Sequence, residues 1–260
     1  MNRSDELLKA LRQELKDNSD PVLRESGKGF FKEEVKLYGM RNVTTMKIGK
    51  RRLSELRNMA LSKTEIFALC EDLWQSGYNE ECYIACQWAD SLKKQFVPED
   101  FEVFADWVER YVSNWATCDT LCNHTVGDIV SMYPELADEL LNWTRSDNRW
   151  VKRAAAVTLI VPARHGEFIE KVFEISDALL TDPDDMVRKG YGWLLKSASE
   201  SHEAKVWQYV MERKNVMPRV SLRYAIEKMP KELRAPAMIK QKKPRRRKSR
   251  KIDESSKSNE

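Results

Sequence analysis

Between residues 4 and 238, apolar residues recur every three or four positions, the period that lines one face of an α-helix. Pro98, Pro134, Pro183, Pro218 and Pro230 punctuate the pattern and mark breaks between helices. Strand signals are nearly absent. The one β-branched apolar run, Ala154 to Val161, continues the spacing of a helix that begins near Trp150 and reads as a single buried helix.

A longer period lies over the helical one. Asn148-Arg149-Trp150-Val151-Lys152-Arg153-Ala154 aligns with Asp184-Asp185-Met186-Val187-Arg188-Lys189-Gly190 at a shift of 36 residues, and Val220 to Ala225 gives a third copy 35 further on. Stepping back the same way lands on Thr117 and then on Cys82. A period near 35 fits a two-helix repeat. Asp-x-x-Val-Arg followed by small residues, clearest at Asp184 to Gly190, looks like the second helix of a HEAT-like repeat, where small residues let neighbouring helices approach. The expected fold is all-α, a HEAT-like helical repeat solenoid whose concave groove is lined by the second helices. An ordinary helical bundle is the alternative.

Composition adds a division of the chain. The net charge is +4, but residues 240 to 260 hold ten Lys/Arg against three Asp/Glu, so residues 1 to 239 carry −3. Two segments are expected: a repeat array over residues 1–238 and a basic, disordered tail over 239–260. A run such as KQKKPRRRKSRK is an electrostatic arm for nucleic acid or another polyanion, or a solubilising or targeting tail. No stretch of eighteen apolar residues occurs, so no membrane span is expected, and nothing resembles a signal peptide. Five cysteines without a Cys-x-x-Cys pair suit a reducing compartment, and a cytoplasmic, DNA-associated location is expected.

The repeat register groups candidate chemistry. Asp119, Arg153 and Lys189 lie two residues beyond aligned positions 117, 151 and 187, so they occupy equivalent places on successive second helices, about 8 to 10 Å apart. One turn before Asp119 is Trp115, one turn before Arg153 is Arg149, and one turn after Lys189 is Trp193. The expected groove holds one carboxylate, several cations and two indoles. Arg and Lys suit phosphates; Trp suits a sugar or a cationic base. The bland readings are an Asp119–Arg153 ion pair and Trp side chains buried for packing, as assigned to Trp74, Trp88, Trp107, Trp143, Trp150 and Trp207. Cys118 and Cys122, four apart, share a helix face, and His124 is near them in sequence, but no fourth ligand is apparent, so neither metal nor cofactor is expected. Gly190-Tyr191-Gly192 has no strand before it and reads as close helix contact.

On three motifs the chain resembles the DNA alkylation repair family, the HEAT-like-repeat DNA glycosylases of the AlkD type. They are Asn114-Trp115 with Asp119, the run Ser146 to Ala155, and Lys189-Gly190-Tyr191-Gly192-Trp193. The resemblance covers most of residues 28 to 235. It implies a glycosylase that releases N3- and N7-alkylated purines from double-stranded DNA without drawing the base into a tight pocket. A monomer is expected, and, with no Lys placed for Schiff-base chemistry, a monofunctional enzyme. The resemblance assigns Asp119 as the catalytic carboxylate, Trp115 and Trp193 to the sugar of the damaged nucleotide, and Arg153 to a phosphate near the lesion. Arg149, Lys152, Arg188, Lys189 and Arg223 are further candidates for phosphate contact.

Three departures stand out. The family commonly carries an acidic residue where this chain has Ala116. It usually continues with Thr-Pro where this chain has Asn42-Val43-Thr44-Thr45. It often has Tyr at the position aligned with Phe30. A non-catalytic HEAT-like module that binds nucleic acid, or a protein-binding scaffold, are the rival functions.

Overall fold

The repeat is written in helix caps. Asn114 accepts backbone N–H groups from Ala116 and Thr117, Asn148 from Trp150, and Asp184 from Met186 and Val187. Each cap satisfies donors that the first turn of a helix leaves without partners. In the computed structural model, which describes residues 3–239, these caps open three of fifteen α-helices. In order they are α1 (Arg3–Asp17), α2 (Pro21–Lys28), α3 (Asn42–Asn58), α4 (Lys63–Ser76), α5 (Asn79–Asp90), α6 (Asp100–Arg110), α7 (Trp115–Leu121), α8 (Gly127–Met132), α9 (Ala137–Trp143), α10 (Arg149–Val157), α11 (Ile160–Arg164), α12 (Ile169–Ala178), α13 (Asp185–Arg213), α14 (Arg219–Ala225) and α15 (Lys231–Met238). Among the described residues the only β feature is an isolated bridge between Lys36 and Tyr78.

The fold is an all-helical repeat. Helices α4, α9 and α12 pack on α5, α10 and α13, while α3, α5, α7, α10, α13 and α14 lie side by side in that order as an inner row. Bonds one repeat apart stitch the row together. Asn114 Nδ2 donates to Asn79 Oδ1 at 3.0 Å, Cys118 Sγ to the Trp150 carbonyl at 3.7 Å, and Ser221 Oγ to the Arg188 carbonyl at 2.9 Å. Gly192 allows α13 and α14 to approach closely, because a Cβ there would meet Tyr224 Cβ at 2.9 Å and Ser221 Cα at 3.0 Å. Trp74, Trp88, Trp107 and Trp150 are buried, and Trp143 and Trp207 pack half-buried against the core. All five cysteines are buried and free. Burial pushes the Cys70, Cys82, Cys86 and Cys118 thiols up, which leaves them poor nucleophiles.

Two helical expectations need correcting. Residues 31–41 are not helical. They run extended because the buried Glu80 carboxylate accepts the N–H groups of Tyr38, Gly39 and Met40, which a helix would have used internally. Gly39 takes φ 86° there, with the backbone of Asp20 and Arg24 against its Cα. The helix expected from Trp150 through Val161 breaks at Thr158–Leu159 into α10 and α11. Pro162 has no N–H for the Thr158 carbonyl and its ring would collide with it. Nearly all of the basic tail lies outside the described residues. No described helix is long and apolar enough to cross a membrane.

Candidate functional site

Helix α7 places two side chains one turn apart on one face: Trp115 in its first turn and Asp119 in its second. The next helix in the row, α10, supplies Arg153, whose Nε and Nη2 donate to the two Asp119 oxygens at 2.9 and 2.8 Å. The third guanidinium nitrogen donates to the Met186 carbonyl of α13 at 2.7 Å. The Arg153 side chain is 6% exposed and that of Asp119 15%. This forked pairing fixes the carboxylate's rotamer and uses two of its roughly four acceptor positions. Burial pushes the Asp119 carboxyl above its ordinary range, and the hydrogen bonds and charge of Arg153 only partly offset that.

The pair forms the floor of a cleft of about 410 Å³ whose walls include Trp115, Lys189, Trp193 and Tyr224. Five residues selected by the repeat register, Trp115, Asp119, Arg153, Lys189 and Trp193, therefore meet in one place. The remaining wall comes from the extended N-terminal segment. Phe31 stacks on the Trp115 indole at 5.5 Å, the indole Nε1 donates to the Phe30 carbonyl at 3.3 Å, and Glu33 pairs with Arg149. Behind Trp115 a second cavity of about 220 Å³ is lined by Phe31, Tyr83 and Ala116.

The cations assigned to phosphates are differently placed from one another. Arg153 is occupied by Asp119 and Met186. Arg149 bridges Glu33 and Asp184 and lies 4.5 Å over the Trp150 ring. Lys152 pairs with Asp182 at 2.7 Å, Lys189 with Asp185 at 2.8 Å, and Arg188 donates to the Asp182 carbonyl at 2.5 Å. Only Arg223 is exposed and makes no ion pair among the described residues. No group of three or more His, Cys, Asp or Glu suited to a metal ion occurs among the described residues.

A family model described as DNA alkylation repair enzyme matches residues 11–229. The chain belongs to the DNA alkylation repair family. Among solved structures, this family member is similar to a chain described as "Predicted DNA alkylation repair enzyme from Enterococcus faecalis", with 17% identity and a TM-score of 0.73. The match covers 82% of this chain and 98% of that one, and at such identity it speaks for the fold alone. No curated protein matches significantly.

Sequence reasoning missed the N-terminal wall of this family member's cleft. Phe31, Lys32 and Glu33 follow no helical period. Their neighbour Phe30 stood out only by alignment, and Tyr224 is adjacent in sequence to the Arg223 that was selected. The one available signal was Gly39, a residue able to take the positive φ found there.

Proposed function

We propose that the protein is an N-alkylpurine DNA glycosylase of the AlkD type, built on HEAT-like repeats, acting on duplex DNA that carries N3- or N7-alkylated purines. Asp119 carries the reading: a largely buried carboxylate, held in one rotamer, at the floor of a cleft walled by two indoles in a member of an alkylation-repair family. Alkylation at N7 or N3 gives the purine a positive charge, so it leaves with the glycosidic electron pair as a neutral base and needs no general acid. The cation that then develops at C1′ of the deoxyribose is stabilised by the Asp119 carboxylate. Water adds to C1′, and its proton passes to Asp119 and on to solvent. Trp115 and Trp193 hold the sugar and the cationic lesion, with cation–π contacts of about 0.5 to 2 kcal/mol each.

Arg153 acts in this scheme as the residue that positions Asp119. That role stands beside the phosphate contact implied by resemblance: three of the five guanidinium N–H donors are engaged. The same pairing is the observation that favours the rival reading, a binding module without chemistry, because Arg153 offsets the charge of Asp119. Release of 7-methylguanine and 3-methyladenine from methylated duplex DNA, at enzyme concentrations that saturate binding, separates the two. Glycosylase action requires release by wild type and its loss, by about 10²- to 10³-fold or more, in an Asp119→Asn variant that still binds DNA. Binding by both without release from either leaves the module.

A further inference from the structure

In the central cleft Arg153 and Lys189 are engaged by carboxylates or a carbonyl, while Lys32 is exposed and makes no ion pair among the described residues. Two further groups of exposed cations lie on either side of it. On helix α3, Lys47, Lys50, Arg51, Ser54 and Arg57 are exposed and spaced three and four apart, so they form one stripe. Lys47, Lys50 and Arg57 make no ion pair among the described residues; Arg51 alone has one, to Glu14. The stripe borders a shallow groove of about 560 Å³ between α3 and α5, whose one carboxylate, Asp90, faces Lys93 at 3.8 Å. Gln87 stands in the same groove. Its Nε2 donates to the Met46 carbonyl, which leaves its buried Oε1 without a partner.

The opposite end of the row repeats the condition. Arg223, Lys231 and Arg234 are exposed around a hollow of about 370 Å³ between α14 and α15, where the lining carboxylate, Glu227, already pairs with Lys196 at 3.3 Å. Both clusters are continuous with the cleft. Gln87 lies one turn beyond Tyr83, which lines the cavity behind Trp115; Arg223 adjoins Tyr224, which lines the cleft itself.

Like charges three and four apart on a helix oppose its formation, so the α3 stripe works against folding. Phosphates spaced along a duplex are the polyanion that two such clusters, separated by a lesion-sized cleft, would complement. We infer that the α3 stripe (Lys47, Lys50, Arg57) and the α14–α15 cluster (Arg223, Lys231, Arg234) are two backbone clamps that grip duplex DNA on either side of the cleft. The inference rests on the proposed function only for the position of the lesion.

The test measures binding of undamaged duplex DNA by the full chain, tail included, as a function of salt. Lys47→Gln/Lys50→Gln/Arg57→Gln and Arg223→Gln/Lys231→Gln/Arg234→Gln are compared with Lys9→Gln/Lys16→Gln, which removes two exposed charges from α1. Each clamp triple is expected to flatten the slope of log K against log salt by about 2 to 3, with the α1 variant unchanged. Circular dichroism confirms that each variant is folded. Clamp slopes equal to wild type overturn the inference, as does equal competition by single-stranded DNA or RNA. Flattened slopes without base release by wild type would sink the glycosylase reading and leave the clamps standing; base release with unchanged slopes does the reverse.

Discussion

Helices α5 and α7 lie next to each other in the inner row, and each buries a carboxylate, but the two are in opposite condition. Glu80, 4% exposed, accepts three backbone N–H groups at 2.9 to 3.3 Å from Tyr38, Gly39 and Met40. Its neighbour Glu81 takes the Tyr38 hydroxyl at 2.7 Å and Arg12 at 3.0 Å. Asp119 takes two bonds from one guanidinium and keeps acceptor capacity at the wall of a cleft. Burial is common to both sites. What separates an anchoring carboxylate from a candidate catalytic one is the capacity left over and the open volume beside it.

The comparison is broken most severely by removing Arg153. Arg153→Ala leaves Asp119 buried without its counter-charge, and urea unfolding at neutral pH should show a loss of about 3 to 5 kcal/mol. A double-mutant cycle with Asp119→Ala should recover much of that as coupling. Glu80→Gln comes next. An amide offers one carbonyl oxygen where the carboxylate offered two, so a stability loss of about 1.5 to 3 kcal/mol is expected. Faster hydrogen exchange at Tyr38, Gly39 and Met40 would accompany it.

The third effect is on pH. Asp119 must be ionised to stabilise the sugar cation, and burial holds its carboxyl above the ordinary aspartate range. Single-turnover release should therefore fall as pH drops through a value higher than the ~3.9 of a free aspartate. Arg153→Lys loses the fork and should move that limb further up. A limb at or below the ordinary value in both proteins would contradict the assignment. The smallest change expected is from Phe31→Leu, which removes a stacked pair worth about 0.5 to 1.5 kcal/mol and should show in release at sub-saturating enzyme.

Asp119, Arg153, Lys189 and Trp193 were legible because they sit on helices that repeat, so their numbers alone place them in register. The Asp119–Arg153 pair was one of the readings the register offered, but the engagement of Arg149 and Lys152 was not legible, since their partners Glu33, Asp184 and Asp182 lie outside that register. The break at Thr158 was written in Pro162, four residues on, but the apolar spacing across it masked the signal. The extended wall at 31–41 depends on Glu80, which in sequence is one more acidic residue in the first turn of a helix. Its capping of a segment some forty residues upstream has no periodic trace.

That wall has a consequence for the order in which the protein assembles. Bonds along the inner row join residues 32 to 35 apart, so each repeat can form from its own neighbourhood. The N-terminal wall reaches Trp115 across 85 residues and Arg149 across 116. Long loops close late, after the local contacts that anchor their ends. The row of helices is thus expected to be in place before the cleft has its second side, and ability to bind DNA should return during refolding ahead of ability to act on it.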